Sequence, residues 1–179
     1  MLNFIIYNSG DIMNKTEENL KVAFAGESQA NRKYLAFAKK AEEERFPNIG
    51  KLFRAIAEAE TIHAHNHLRI LKMIKSTKEN LQAALNGEIY EFTDMYPGFI
   101  KIATQEGIND AVLTFNYANQ VEKIHGEMYK KAIESVDQNK DIEEKEFFVC
   151  QVCGYTAEGE APNTCPICGA SKEKFKKIL

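Results

Sequence analysis

The sequence predicts an all-α four-helix bundle followed by a small β-rich domain built on four cysteines. Three observations carry this expectation. Four amphipathic segments with mostly short connections fill residues 14–134. Residues 135–146 are polar and charged, without helical apolar periodicity, and read as a linker. All four cysteines then fall within residues 147–179, as Cys150-x-x-Cys153 and Cys165-x-x-Cys168. The chain of 179 residues has room for one ordinary domain and such an appendage.

The elements follow in order. Asn14 with Glu17 forms a plausible capping pair for the first helix. Leu20, Phe24, Glu27, Asn31, Tyr34, Ala38 and Ala41 then recur at helical spacing. Pro47 and Asn48 mark a turn, and a second stripe runs Ile49, Phe53, Ile56, Glu60, His63, His67, Ile70, Ile74. The third runs from Leu81 through Leu85, Glu88, Glu91 and Met95 to Ile102, with Pro97 expected to kink it and Gly107 to stop it. The fourth contains Ala111, Phe115, Ala118, Glu122, His125, Tyr129 and Ala132. Phe147, Phe148 and Val149 read as a short strand entering the cysteine domain. Residues 1–13 stand apart as an extension; their apolar patch lacks the basic and hydrophobic regions of a signal peptide.

The net charge of −3 offers no electrostatic case for nucleic acid or an anionic membrane, and no apolar run approaches a bilayer span. Cysteines confined to one end, without a secretion signal, point to a reducing cytoplasm and metal-bound thiolates rather than a disulfide scaffold.

Five carboxylates (Glu27, Glu60, Glu88, Glu91, Glu122) and two imidazoles (His63, His125) lie on or beside the apolar stripes. An ionised carboxylate facing a core costs several kcal/mol unless it is compensated. No lysine or arginine lies near them on those stripes, so metal ions are the natural source of positive charge. Residues three apart share a helix face, so each Glu-x-x-His step, Glu60 to His63 and Glu122 to His125, can reach one cavity, as can Glu88 and Glu91. One Glu from each of two helices plus Glu-x-x-His from each of the other two is a di-iron or di-manganese carboxylate ligand set. Oxygen and imidazole donors suit iron or manganese. The halves repeat roughly: Glu27 precedes Glu60 by 33 residues, and Glu88 precedes Glu122 by 34. His65 falls off the stripe and reads as surface; His67 reads as core or as support for the ligands. Tyr34 and Tyr96 are candidates for hydrogen bonding to the cluster.

The cysteine pairs bring four thiolates to one tetrahedral ion. Ligand type alone leaves a structural zinc ribbon and a one-electron iron site open. A glycine after each pair, Gly154 and Gly169, lets backbone N–H groups turn toward sulfur. A di-iron site needs an electron source, which favours iron.

These residues resemble the rubrerythrins from about Asn14 to Leu179. The resemblance rests on AFAGESQANRKY around Glu27, AEAETIHA around Glu60 and His63, and NGEIYEFTDMYP around Glu88 and Glu91. It continues through VEKIHGEMY around Glu122 and His125 to FFVCQVCGYTAEGEAPNTCPICGA at the end. It implies a ferritin-like bundle with a rubredoxin-like domain, acting as a non-haem di-iron peroxidase that reduces hydrogen peroxide to water. Glu60 and Glu122 would bridge the irons. Glu27 would be terminal on one iron, and Glu88 with His125 on the other. Glu91 and His63 would exchange, Glu91 bound in the diferric and His63 in the diferrous state. Cys150, Cys153, Cys165 and Cys168 would hold a third iron. The resemblance also implies a homodimer, often with the four-cysteine centre of one subunit near the binuclear site of the other, fed by a rubredoxin or an NAD(P)H-dependent reductase. Protons would come from nearby carboxylic acid or tyrosine groups, Tyr34 among them. The rival readings are a ferroxidase or iron-storage protein and a non-enzymatic zinc-ribbon module. Residues before Met13 match nothing in the family pattern.

Overall fold

A computed structural model describes residues 9–179, with side chains from Lys15 onward. The chain divides into two compact units, Met1–Lys75 and Ser76–Leu179. Among the described residues, no helix is long and apolar enough to cross a membrane.

The first unit is a helix pair, α1 (Ser9–Glu43) and α2 (Pro47–Ile70). Helix α1 starts five residues before the expected cap, so Asn14 lies inside it. Asparagine tolerates a helix interior at modest cost, and no proline stops the helix from extending backward. The turn between the helices spans 44–46, with Arg45 at φ 66°, and Pro47 opens α2 rather than sitting in the turn. A proline there loses no hydrogen bond, because the first helical N–H groups have no partner anyway. Ala38, Ala41, Ala57 and Ala64 are buried between the helices, and small residues let the two backbones approach closely. Gly50 sits where an added Cβ would come within 2.9 Å of the Glu42 side chain and 3.1 Å of the Ala38 carbonyl. Buried Asn31 donates to the Ala57 carbonyl at 2.7 Å and to Thr61 Oγ1 at 2.9 Å, pinning α1 to α2. One helix pair covers only part of an apolar stripe, and Ile49, Ile56 and Ile70, expected in the core, stand 47%, 39% and 59% exposed.

The second unit holds α3 (Thr77–Tyr90), a π-helical stretch at Glu91–Met95, α4 (Tyr96–Glu106) and α5 (Asn109–Asp137). A full capping box, Ser76 with Glu79, starts α3. The kink expected at Pro97 takes the form of the π stretch. Proline cannot donate to the carbonyl four residues back, and Tyr96 N–H reaches five back, to Glu91. Gly107, left-handed at φ 73°, ends α4 as expected. Helix α5 runs three residues into the polar segment before the chain loses regular structure at 138–146.

A three-stranded antiparallel sheet closes the unit: β1 (Phe147–Cys150) lies between β2 (Thr156–Glu158) and β3 (Phe175–Ile178). Tyr155 meets Phe175 edge-on at 6.3 Å, and Ala157, Ala161, Cys150 and Cys165 are buried. Gly154 approaches α5 to ordinary contact, its Cβ position 3.9 Å from Val121, which is itself 2% exposed.

Candidate metal centres

Among the described residues, three clusters of metal-ligating side chains form, each with its ligand atoms within 4.8 Å of one another: Glu27, Glu60 and His63; Glu88, Glu122 and His125; and the four cysteines. Every ligand expected from the sequence belongs to one of them except Glu91.

The first triad lies on α1 and α2. His63 Nδ1 sits 3.1 Å from Glu60 Oε2 and 3.9 Å from Glu27 Oε1. The partnership of the two acids shifts them in opposite directions, raising the pKa of Glu27 and lowering that of Glu60. The side chains are less enclosed than a core reading implies, with Glu60 at 14% exposure and His63 at 54%. His67 faces Glu27 electrostatically, while His65 is exposed.

The second triad lies on α3 and α5, with His125 Nδ1 2.7 Å from Glu122 Oε2. Burial and the Glu122 charge push the Glu88 carboxyl up to about 7. The charged groups that act on it are Glu122, His125 and Glu91. Glu91, one turn on, is raised by burial and by Glu122 but stands outside the tight triad. His125 is raised chiefly by its bond to Glu122. Carboxylates held this close, with one histidine in each cluster, fit divalent ions: a metal would supply the missing positive charge.

The triads are related by an internal repeat. Glu60 and Glu122, His63 and His125, Tyr34 and Tyr96, and Phe53 and Phe115 each stand 62 residues apart, whereas Glu27 and Glu88 stand 61 apart. The π stretch accounts for the extra residue, and it explains why the Glu-to-Glu spacing is 33 in one half and 34 in the other. Matching aromatic clusters follow the repeat. Tyr34 lies 6.2 Å from Phe53, with Phe37 5.6 Å from Phe53; Tyr96 lies 6.1 Å from Phe115, with Phe99 5.5 Å from Phe115. Burial, followed by Glu122, Glu91 and Glu88, raises the Tyr96 phenol. Tyr129, one turn beyond His125 on the same face, is raised by burial, Glu88 and Glu122.

The cysteine sulfurs approach to 3.7 Å (Cys150 to Cys168) and 3.5 Å (Cys153 to Cys165), and all four are free thiols. A disulfide needs about 2.05 Å. A tetrahedral ion with sulfur at about 2.3 Å spaces its ligands by about 3.8 Å, so the cluster fits one metal. Gly154 and Gly169 adopt φ +86° and +74°, and their N–H groups close each knuckle onto the Cys150 and Cys165 carbonyls at 2.9 Å. The donors to sulfur are their neighbours. Burial raises Cys150, but the Val152 and Cys153 N–H groups outweigh it and lower the thiol. Tyr155 N–H serves Cys153, and Ala170 N–H serves Cys168.

A family model described as Rubrerythrin matches residues 18–133, and one described as Rubrerythrin, rubredoxin-like domain, matches residues 148–176. The chain belongs to the rubrerythrin family. Rubrerythrin-2 of Clostridium acetobutylicum is 41% identical, covering 90% of this chain and 95% of its own length. Nigerythrin of Nitratidesulfovibrio vulgaris is 38% identical over 96% of this chain and 90% of its own. A solved structure of fully reduced, all-ferrous nigerythrin superposes with a TM-score of 0.55 at 39% identity, covering 91% of this chain and 86% of that one. Rubrerythrins join a ferritin-like helical domain to a rubredoxin-like one, which is the fold class expected from the sequence. They are oxidoreductases with a di-iron site and a four-cysteine iron site, and the clusters above provide both kinds of ligand. Iron is therefore the cofactor, and the rubredoxin-like domain marks the chain as a user of redox partners.

Proposed function

We propose that this rubrerythrin is a peroxidase that reduces hydrogen peroxide to water, with electrons entering through the iron held by Cys150, Cys153, Cys165 and Cys168. The observation that carries this reading is the presence in one chain of two Glu/His triads and a four-sulfur cluster. The first ligand type suits a redox pair acting on oxygen, and the second suits a one-electron carrier.

Seven residues would hold the binuclear pair: Glu60 and Glu122 shared between the two ions, Glu27, Glu88 and His125 each serving one, and Glu91 and His63 as ligands that depend on oxidation state. Two features support the last assignment: Glu91 stands just outside its triad, and His63 is half exposed. When bound, the pair would polarise the peroxide oxygens and supply both electrons. Tyr34, half-buried in its aromatic cluster two turns along α1 from Glu27, serves as a proton source. The free thiols are consistent with a reducing cytoplasm. The upstream donor is a rubredoxin or an NAD(P)H-dependent reductase. A homodimer belongs to the same reading.

Anaerobic peroxide consumption by the reduced, iron-loaded chain tests this reading. Turnover should be stoichiometric with the electrons supplied, and Glu91→Ala should lower it at least about 10-fold without unfolding the protein. Dioxygen consumption with accumulation of an iron mineral would assign the chain to storage instead, and a colourless zinc protein would make the tail a structural ribbon.

A further inference from the structure

The cysteine domain touches the second triad at His125, through the Gly154 backbone and the Thr156 side chain. Thr156, in β2, lies with its hydroxyl oxygen 3.0 Å from His125 Nε2. The same hydroxyl donates to the Gly154 carbonyl at 3.3 Å. With its hydrogen on that carbonyl, Thr156 Oγ1 offers His125 a lone pair, and Nε2 is the donor once Nδ1 is turned to a metal. The other ring nitrogen, Nδ1, faces Glu122 within the triad. We propose that Thr156 is a positioning residue: it holds His125 protonated at Nε2, turns Nδ1 toward the metal, and ties that ligand to the backbone next to Cys153 of the same chain.

Three further contacts make this a built arrangement. Antiparallel pairing with Val149 fixes the backbone of Thr156. Gly154, whose carbonyl takes the Thr156 proton, lies against buried Val121, one turn before His125 on α5. Gly154 N–H in turn bonds the Cys150 carbonyl at 2.9 Å. A ligand of one metal centre is thus two hydrogen bonds and one peptide link from a ligand of the other. The resemblance implied that a four-cysteine centre commonly serves the partner subunit. Here the connection lies within one chain.

The inference rests on His125 being a metal ligand, as in the function proposed above, but not on peroxide being the substrate. Its test needs no turnover. Zinc serves as a diamagnetic probe of both sites in the full-length protein, with the histidine ring nitrogens read by 15N NMR and zinc affinity by titration against a competing chelator. The expected result is zinc on His125 Nδ1 and a slowly exchanging proton on Nε2. Thr156→Val should speed that exchange and weaken zinc at the Glu/His site by about 10-fold, the lower end of what loss of a ligand's outer hydrogen bond costs. Thr156→Ser should restore both, and the four-cysteine site should bind zinc normally in each variant. Zinc on Nε2 in the unmodified protein would overturn the proposal without any variant. So would a Thr156→Val protein with unchanged exchange and affinity. Failure of the function proposal would look different: these signals would persist while peroxide went unconsumed.

Discussion

Glu88 shows most directly how the environment of a single residue creates a need for metal. Burial and the neighbouring Glu122 keep its carboxyl protonated up to about pH 7. The unfolded chain releases that proton near 4.5, the ordinary value. Between those limits the native state binds more protons than the unfolded state, so stability is greatest below the lower value and falls as pH rises through the upper one. His125, also raised, contributes in the same direction. The metal-free protein should therefore melt at a lower temperature at pH 8 than at pH 5, and Glu88→Gln should flatten the dependence. Calorimetry across that range checks both; melting that rises toward pH 8 would contradict the assignment. Gly169 supplies a second prediction at this scale. Its φ of +74° leaves open space around an added Cβ, so Gly169→Ala carries only the left-handed backbone penalty, about 1–2 kcal/mol. Faster loss of the cysteine-bound iron to a chelator would report it. These positions could be read in the sequence because each follows from residue type and spacing: an acid on an apolar stripe, and a glycine after a Cys-x-x-Cys pair. Thr156 could not be. It is separated from His125 by 31 residues, and no helical or strand period relates them.

The elements were legible where local chemistry decides them. Gly107 stops α4 and Phe147 begins β1 as the residues suggest. The start of α1 at Ser9 was missed because asparagine is acceptable both as a cap and inside a helix. The π stretch was seen only as a kink at Pro97, although its trace was present in the unequal spacing of the two halves, 33 against 34 residues. That extra residue sets the rotational phase between Glu88 and Tyr96. Deleting Thr93 should return the segment to α-helix and turn Glu88 and Glu91 by about 100° relative to the Tyr96, Phe99 and Phe115 cluster. Far-UV helicity should persist while metal content at the Glu/His site falls. Full metal loading of the deletion protein would show that the π stretch does not set the ligand geometry.

For the whole molecule, composition and contacts mark different divisions. The polar segment at 135–146 separates the stretches matched by the two family models, and by contacts the chain divides between α2 and α3, with the cysteine strands grouped with α3–α5. Sequence periodicity identifies apolar faces but not which partner covers them, so the unit carrying the cysteines could not be read in advance. Each unit brings one Glu/His triad. The central claim is that these acids are neutralised by a pair of redox irons in a chain that also carries one sulfur-bound iron. Mössbauer spectroscopy of the anaerobically 57Fe-loaded protein tests it most directly. The account predicts two classes of iron in a ratio of two to one, oxygen- and nitrogen-ligated pairs to tetrahedral sulfur-ligated ions. A spectrum holding only the sulfur-ligated class, with the glutamates still titrating as in the metal-free protein, would contradict it.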